Sequence, residues 1–310
     1  MSLAIEASGL RKRFGHADVL TGLDLAVPTG TVFALLGPNG AGKTTTINIL
    51  TTLVRPDAGA AHVAGHDVVT EPHEVQRRIA LTGQSAAVDE VLTATENLVM
   101  MGRLSGLDRR TARARAAELL DRFGLADAAG RKLGTYSGGM RRRLDLSLSL
   151  VVDVPVLFLD EPTTGLDTRS RQELWGVIRS LAESGTTVFL TTQYLEEADR
   201  LADRIAVLHA GRVAAEGTAD ELKARIGGDV VELRDADGRL LLERPTDGSV
   251  HGLRAAIDEL DRSAAASADG VQVSIRRPSL DDVFLAITAG GGSAPTAVDE
   301  ASAPELIESK

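Results

Sequence analysis

The chain has 310 residues, of which 43% are hydrophobic and 25% charged, an ordinary globular composition. That length suits two domains of roughly 100–200 residues each. Cysteine is absent and aromatics make up only 3%, which excludes disulfides, thiol catalysis and cysteine zinc sites and argues against a base-stacking platform. A formal net charge of −10 argues against sequence-independent binding along nucleic acid.

In chain order, the N-terminal MSLAIEASGLRKRFG places charges after a short apolar run and lacks a cleavable-signal pattern. A continuous apolar run predicts a strand over Thr31–Leu36, ending in a glycine-rich turn, with a helix from Lys43. Further strands are predicted at Val154–Leu159 and Thr186–Thr191, with helices over Gln172–Glu183 and Leu195–Leu201. Runs at Arg204–Leu208 and Arg212–Ala215 flank the turn His209-Ala210-Gly211, a hairpin pattern. Strands alternating with helices predict a mostly parallel sheet covered on both faces, an α/β fold.

About 117 residues separate the first two of these strands, too many for one crossover. Helical spacing over Thr111–Phe123 and Arg141–Val151 predicts an inserted helical subdomain over about 90–150. Beyond Gly217 the pattern changes. Val230–Arg234 and Arg239–Glu243 flank an Asp-Ala-Asp-Gly turn; a helix at Val250–Asp261, a strand at Val271–Ile275 and a helix at Leu280–Ile287 complete a small α+β domain over 219–289. Residues 290–310 read as a disordered tail. The most apolar stretch, Leu144 to Leu159, is interrupted by Asp145, Asp153 and Pro155, and none reaches the roughly 20 apolar residues of a membrane span. If a membrane is involved, another chain supplies the spans.

Gly37-Pro38-Asn39-Gly40-Ala41-Gly42-Lys43-Thr44 fits the phosphate-loop pattern in its required context, after a strand and before a helix. Glycines let backbone N–H groups encircle a phosphate chain, the helix start adds partial positive charge, and Lys43 neutralises the β/γ oxygens. Thr44 can offer its hydroxyl to Mg²⁺. Asp160 and Glu161 follow a buried strand; an aspartate there can hold Mg²⁺ and the glutamate can polarise an attacking water. Ser137-Gly138-Gly139 before an arginine-led helical segment is a second anion-binding turn, weak by itself.

In this order the three motifs resemble the ATPase subunits of ABC transporters over about residues 3–217. Ser137-Gly138-Gly139 matches that family's signature, which implies that it faces ATP on a partner chain. Thr164-Gly165-Leu166-Asp167 matches the D-loop, Gln84 the Q-loop glutamine and a Mg²⁺ ligand, and Phe14 the aromatic that stacks on adenine. Thr45 completes the ATP-binding set, and Gln193, with Glu161 and Lys43, the catalytic one. More narrowly, Leu81-Thr82-Gly83-Gln84-Ser85 with Asp89-Glu90, Thr191-Thr192-Gln193-Tyr194-Leu195-Glu196-Glu197-Ala198-Asp199 and the late Pro278–Leu285 segment resemble the daunorubicin/doxorubicin-resistance branch of drug-export ATPases. This implies ATP and Mg²⁺ as cofactors, a homodimer around two ATP, a separately encoded permease, no nucleic acid, and a place on the cytoplasmic face of the cell membrane.

Three residues depart from the broad family. Gln193 stands where most members have histidine; it can donate a hydrogen bond to the γ-phosphate but cannot titrate, so it cannot be the general base. Tyr136 and Met140 replace the signature's leucine and glutamine, and their effect is expected on turnover rather than ATP binding. With Glu161 present, a working hydrolase is expected. His62 and His66 are four apart, but strand-like surroundings with Gly65 argue against a metal pair. The run Arg141-Arg142-Arg143 reads as a solvated helix face and Trp175 as packing. The competing functions are a soluble ABC-type ATPase acting on a ribosome or nucleic-acid assembly, against which the single phosphate loop counts, and a nucleotide sensor without hydrolysis.

Overall fold

Three runs that are buried at every position, β3 (Val32–Leu36), β7 (Val156–Asp160) and β8 (Thr187–Thr192), form the centre of a six-stranded sheet. With β6 (Ile79–Thr82), β9 (Arg204–His209) and β10 (Arg212–Gly217) the order is β10-β9-β3-β8-β7-β6, parallel except for the β9–β10 hairpin. The computed structural model describes residues 2–83, 88–263 and 270–289. The expected 290–310 tail and Gln84 lie outside the described residues.

Alternation along these strands splits the interior into two cores. Phe33, Leu35, Phe158, Phe189 and Leu208 face one way. Phe33 and Phe189 stack with centroids 5.7 Å apart, and Phe158 tilts against Phe189 at 5.6 Å. Ala34, Leu36, Leu157, Leu159, Val188 and Leu190 face the other way.

The six-stranded sheet is the expected mostly parallel one, and a second, antiparallel sheet joins it. β1 (Leu3–Phe14), β2 (Ala17–Pro28), β4 (Ala58–Val63) and β5 (His66–Asp67) pair antiparallel in the order β2-β1-β4-β5. Register shifts interrupt the β1–β2 pairing, so the burial of β1 loses its strict alternation and the strand is hard to read from sequence. Its Ile5 and Leu10, with Leu20 and Leu23 of β2, join the core that contains Phe189.

Several helices open on side-chain caps. α1 (Lys43–Leu50) leaves the glycine loop after β3, and α2 (Pro72–Gln76) opens on a proline. Between β6 and β7 lie α3 (Ala94–Leu104), opened by a Thr93/Glu96 capping box, α4 (Arg109–Arg122), capped by Asp108, and α5 (Gly138–Ser149), capped by Ser137. α6 (Thr168–Glu183) starts four residues before its predicted start because Asp167 caps it. α7 (Leu195–Leu201) and α8 (Ala219–Ala224) complete this part.

Beyond them, β11 (Asp229–Arg234), β12 (Leu240–Thr246) and β13 (Gln272–Arg276) form an antiparallel sheet, β12-β11-β13, beside α9 (Val250–Asp261). α10 (Leu280–Ala289) then returns to the main core, where Leu280 and Val283 are buried and the helix meets α7 and α8.

Glu232 on the central strand β11 is buried. Arg234 donates to its Oε2 from Nε and Nη2 at 2.9 and 2.7 Å, and Arg276 Nε to its Oε1 at 2.9 Å. Burial pushes the carboxyl up, but the two guanidiniums outweigh it and the pKa lies below its ordinary value. A lowered pKa contributes stability above the unfolded value of about 4.3 and loses it as pH falls through the folded value. Because both arginines are partly exposed, Glu232→Gln is expected to cost about 1–3 kcal/mol at pH 7. In urea denaturation followed by circular dichroism, the gap to wild type should narrow below about pH 4; a gap independent of pH would refute the ion-pair origin.

Candidate nucleotide site

In a parallel sheet, the loops leaving the carboxyl ends of neighbouring strands converge. Here β3 leads into Gly37–Gly42, β7 into Asp160-Glu161 and β8 into Gln193. Gly37 N donates to Thr192 O at 3.2 Å, which ties the first of these loops to the third. The glycines are required sterically. A Cβ on Gly37 would lie 2.8 Å from Leu208 O, and Gly42, at φ 108°, would put one 2.8 Å from Leu20 Cδ2.

Asn39, Ala41 and Thr45 lie with Gly40 in the loop and the first turn of α1. Lys43 is only 5% exposed, and its Nζ donates to Gly37 O at 2.9 Å and Pro38 O at 3.2 Å. The same Nζ lies 3.1 Å from Glu161 Oε1. The loop's one cation and the strand-end carboxylate therefore share one point.

Thr44 Oγ1 donates to Asp160 Oδ2 at 3.0 Å, and Thr191 Oγ1 to Asp160 Oδ1 at 2.6 Å. Glu161 holds φ at 48°, rare for a residue with a side chain. Its amide donates to Thr191 O at 3.2 Å and Thr191 Oγ1 at 3.1 Å, and Thr164 Oγ1 donates to its Oε2 at 3.3 Å. Thr191 thus orients both carboxylate residues, a part the sequence reading missed although the residue sits in a quoted motif.

Thr44 and Asp160 are hard oxygen donors. Among the described residues no group of three or more His, Asp or Glu could hold a metal. A donor set of one hydroxyl and one carboxylate suits a small cation that keeps waters and shares phosphate oxygens, not one caged by protein alone.

The other expected site residues take separate places. Ser137 Oγ accepts from Met140 N at 3.2 Å, and a Cβ on Gly139 would collide with Ser170. Among the described residues no hydrogen bond or ion pair joins Ser137–Gly139 to the glycine loop of the same chain. Asp167 accepts from Ser170 N at 2.9 Å, and that N–H holds its carboxyl below the ordinary range. Phe14 ends β1 half-exposed, with Lys12 Nζ 5.4 Å from its ring centroid. Gln193 is half-buried directly after β8.

Two departures from the family's pattern have a structural reason. Tyr136 is buried and its OH donates to Ala128 O at 2.8 Å, while Met140 packs at the edge of the core. Burial pushes the Tyr136 phenol up from its usual value. The reading of Arg141-Arg142-Arg143 as a solvated face is wrong: Arg141 pairs with Glu90 at 2.8 Å, Arg143 with Glu173 at 3.3 Å, and Arg142 is largely buried. Trp175 is buried as expected, and its Nε1 also donates to Glu197 at 3.0 Å.

A strand–glycine loop–helix unit with a buried lysine beside a strand-end Asp-Glu pair, in a chain that also carries a separate Ser-Gly-Gly helix start, defines an ABC-type ATPase that binds and hydrolyses ATP. The ABC transporter family matches residues 20–164. The chain is 53% identical to the daunorubicin/doxorubicin resistance ATP-binding protein of Streptomyces peucetius, over 98% of both chains. It is 48% identical to the doxorubicin resistance ATP-binding protein of Mycobacterium tuberculosis, over 92% of this chain and 94% of that one. A dimeric ATP-binding cassette in a post-hydrolysis state with ADP and phosphate superposes with TM-score 0.61 and 25% identity, covering 69% of this chain and 98% of that one. The chain belongs to the daunorubicin/doxorubicin-resistance family of ABC transporter ATP-binding proteins.

Proposed function

We propose that this ATPase drives efflux of hydrophobic drug- or antibiotic-like compounds through a separately encoded permease, as a homodimer on the cytoplasmic face of the cell membrane. The end-to-end similarity to the Streptomyces peucetius resistance protein carries this reading. No described helix is long and apolar enough to cross a membrane, so the pathway for substrate belongs to another chain.

In the proposed cycle, the N–H groups of Gly40–Thr45 and the Lys43 ammonium bind the phosphates, and Phe14 stacks on the adenine. Thr44 and Asp160, with Gln84, would hold Mg²⁺, which would supply charge neutralisation on the phosphates. Glu161 accepts the proton of the attacking water and Gln193 donates a hydrogen bond to the γ-phosphate. Ser137–Gly139 complete the site of the opposite copy, consistent with their separation from the glycine loop of their own chain, while Asp167 lies at the closing interface. These contacts exist only in the closed dimer, so nucleotide binding shifts the population toward closure.

A cleft of about 370 Å³ lined by Leu81, Met101, Leu148, Val151 and Val152 lies between β6, α3 and the end of α5. Its lining residue Leu81 precedes Gln84 by three positions in the chain, and we assign the cleft to the permease. Residues 90–150 act as the helical subdomain, and residues 219–289 as the accessory domain that steadies or tunes dimer closure.

The test is purification of tagged Glu161→Gln protein from native membranes in mild detergent with ATP. A stoichiometric polytopic membrane protein is the expected companion. Ribosomes, nucleic acid or only soluble partners would replace the exporter reading with a soluble assembly ATPase.

A further inference from the structure

Arg142 lies five residues after Ser137 on α5, and its side chain is only 13% exposed. One guanidinium reaches three backbone carbonyls and a carboxylate. Nε donates to Pro162 O at 2.8 Å and Nη1 to Gly83 O at 2.7 Å. Nη1 also lies 3.3 Å from Asp145 Oδ2, and Nη2 donates weakly to Asp160 O at 3.5 Å.

The positions of these carbonyls give the contacts meaning. Asp160 and Pro162 flank Glu161 on either side, and Gly83 immediately precedes Gln84. Glu161 holds φ at 48°, a conformation that persists only where the surroundings impose it. Thr191 grips the amide side of Glu161, and Arg142 grips the carbonyls before and after it. Glu197 on α7 adds to the setting: it is fully buried, its Oε1 takes the Trp175 indole N–H, and its Oε2 has no hydrogen-bond partner among the described residues. Burial pushes the Arg142 pKa down, and the negative charge of Asp145, Asp160 and Glu197 works against that shift. Arginine stays protonated throughout.

We infer that Arg142 is a positioning residue for hydrolysis: it fixes the backbone on both sides of Glu161 and at the base of the Gln84 segment. Because it rides on the helix that opens with Ser137-Gly138-Gly139, it makes the aim of the hydrolytic carboxylate depend on where that helix stands. A planar fork suits this arrangement, since Nε, Nη1 and Nη2 stand apart on a rigid frame and reach carbonyls of two separate segments, whereas an ammonium offers its three donors from a single point. The inference rests on the proposed role of Glu161.

The experiment compares Arg142→Lys, Arg142→Gln and Glu161→Gln with wild type in the full chain. Displacement of a reacting group by about 1 Å costs roughly 100-fold. Arg142→Gln is therefore expected to lower kcat about 100-fold, and Arg142→Lys, which keeps the charge facing Asp145, about 10-fold. The ATP Kd should stay within about twofold, and ATP-induced dimerisation in a Glu161→Gln background should persist, because the phosphate-binding groups are untouched.

Wild-type kcat in Arg142→Lys overturns the inference, and that variant alone decides if Arg142→Gln does not fold. Loss of ATP affinity and of thermal stability in step with kcat also overturns it, since a purely structural role moves all three. Rapid turnover by Glu161→Gln overturns the role of Glu161 instead; inactive Glu161→Gln beside fully active Arg142→Lys refutes Arg142 alone.

Discussion

Glu161→Gln is expected to lower kcat for ATP by about 100- to 1000-fold while leaving nucleotide binding intact. The amide has nearly the shape of the carboxylate, so the left-handed backbone at φ 48° and the bonds its N–H donates to Thr191 remain. What is lost is the ability to take a proton from water. The substitution also removes the 3.1 Å ion pair with Lys43, freeing the ammonium that phosphates would otherwise have to win from Glu161. ATP affinity should accordingly be unchanged or slightly tighter. Phosphate release gives kcat, titration of a fluorescent ATP analogue gives Kd, and size-exclusion chromatography with ATP should show a stable dimer. Turnover within tenfold of wild type would falsify the role given to this carboxylate.

Lys43→Ala should act earlier in the cycle. Lys43 is the one cation of the glycine loop, and its ammonium is already desolvated, with Gly37 O, Pro38 O and Glu161 as partners. Hydrogen bonds between charged groups contribute about 1.5–3 kcal/mol each. Loss of the phosphate contacts should weaken ATP binding about 100-fold, equivalent to about 2.7 kcal/mol. Calorimetric titration measures this directly. Affinity within threefold of wild type would show that the backbone N–H groups alone hold the phosphates. Arginine should rescue poorly, since the loop backbone packs closely enough that a Cβ on Gly42 would meet Leu20 at 2.8 Å.

The parts of the site legible in the sequence are those where chemistry restricts the residue type. Only glycine suits positions 37 and 42, only a cation serves at Lys43, and Asp160-Glu161 end a run too apolar to be anything but a buried strand. Helix α9 takes its expected bounds, Val250–Asp261, and the structure adds Ser249 as its cap. What escaped depends on partners far apart in sequence. The bulged β1 gives no clean alternation, and its pairing with β4 spans the whole phosphate-loop unit. Arg142 looks like any member of a basic run until Gly83 and Pro162 close around it. Thr191 likewise reads as a strand residue until Asp160 lies beside it. Asp167 was matched to the D-loop, but its second role, capping α6, moves that helix start forward.

The return of α10 has a mechanical consequence. A domain hung from one linker can swing in any direction and transmits no force. The β11–β13 sheet is instead pinned at two points, through α8 on entry and through α10 on exit, where Leu280 and Val283 are sunk beside α7. The sheet is therefore held to the rest of the chain on both sides, and its exit helix meets α7, which begins two residues after Gln193.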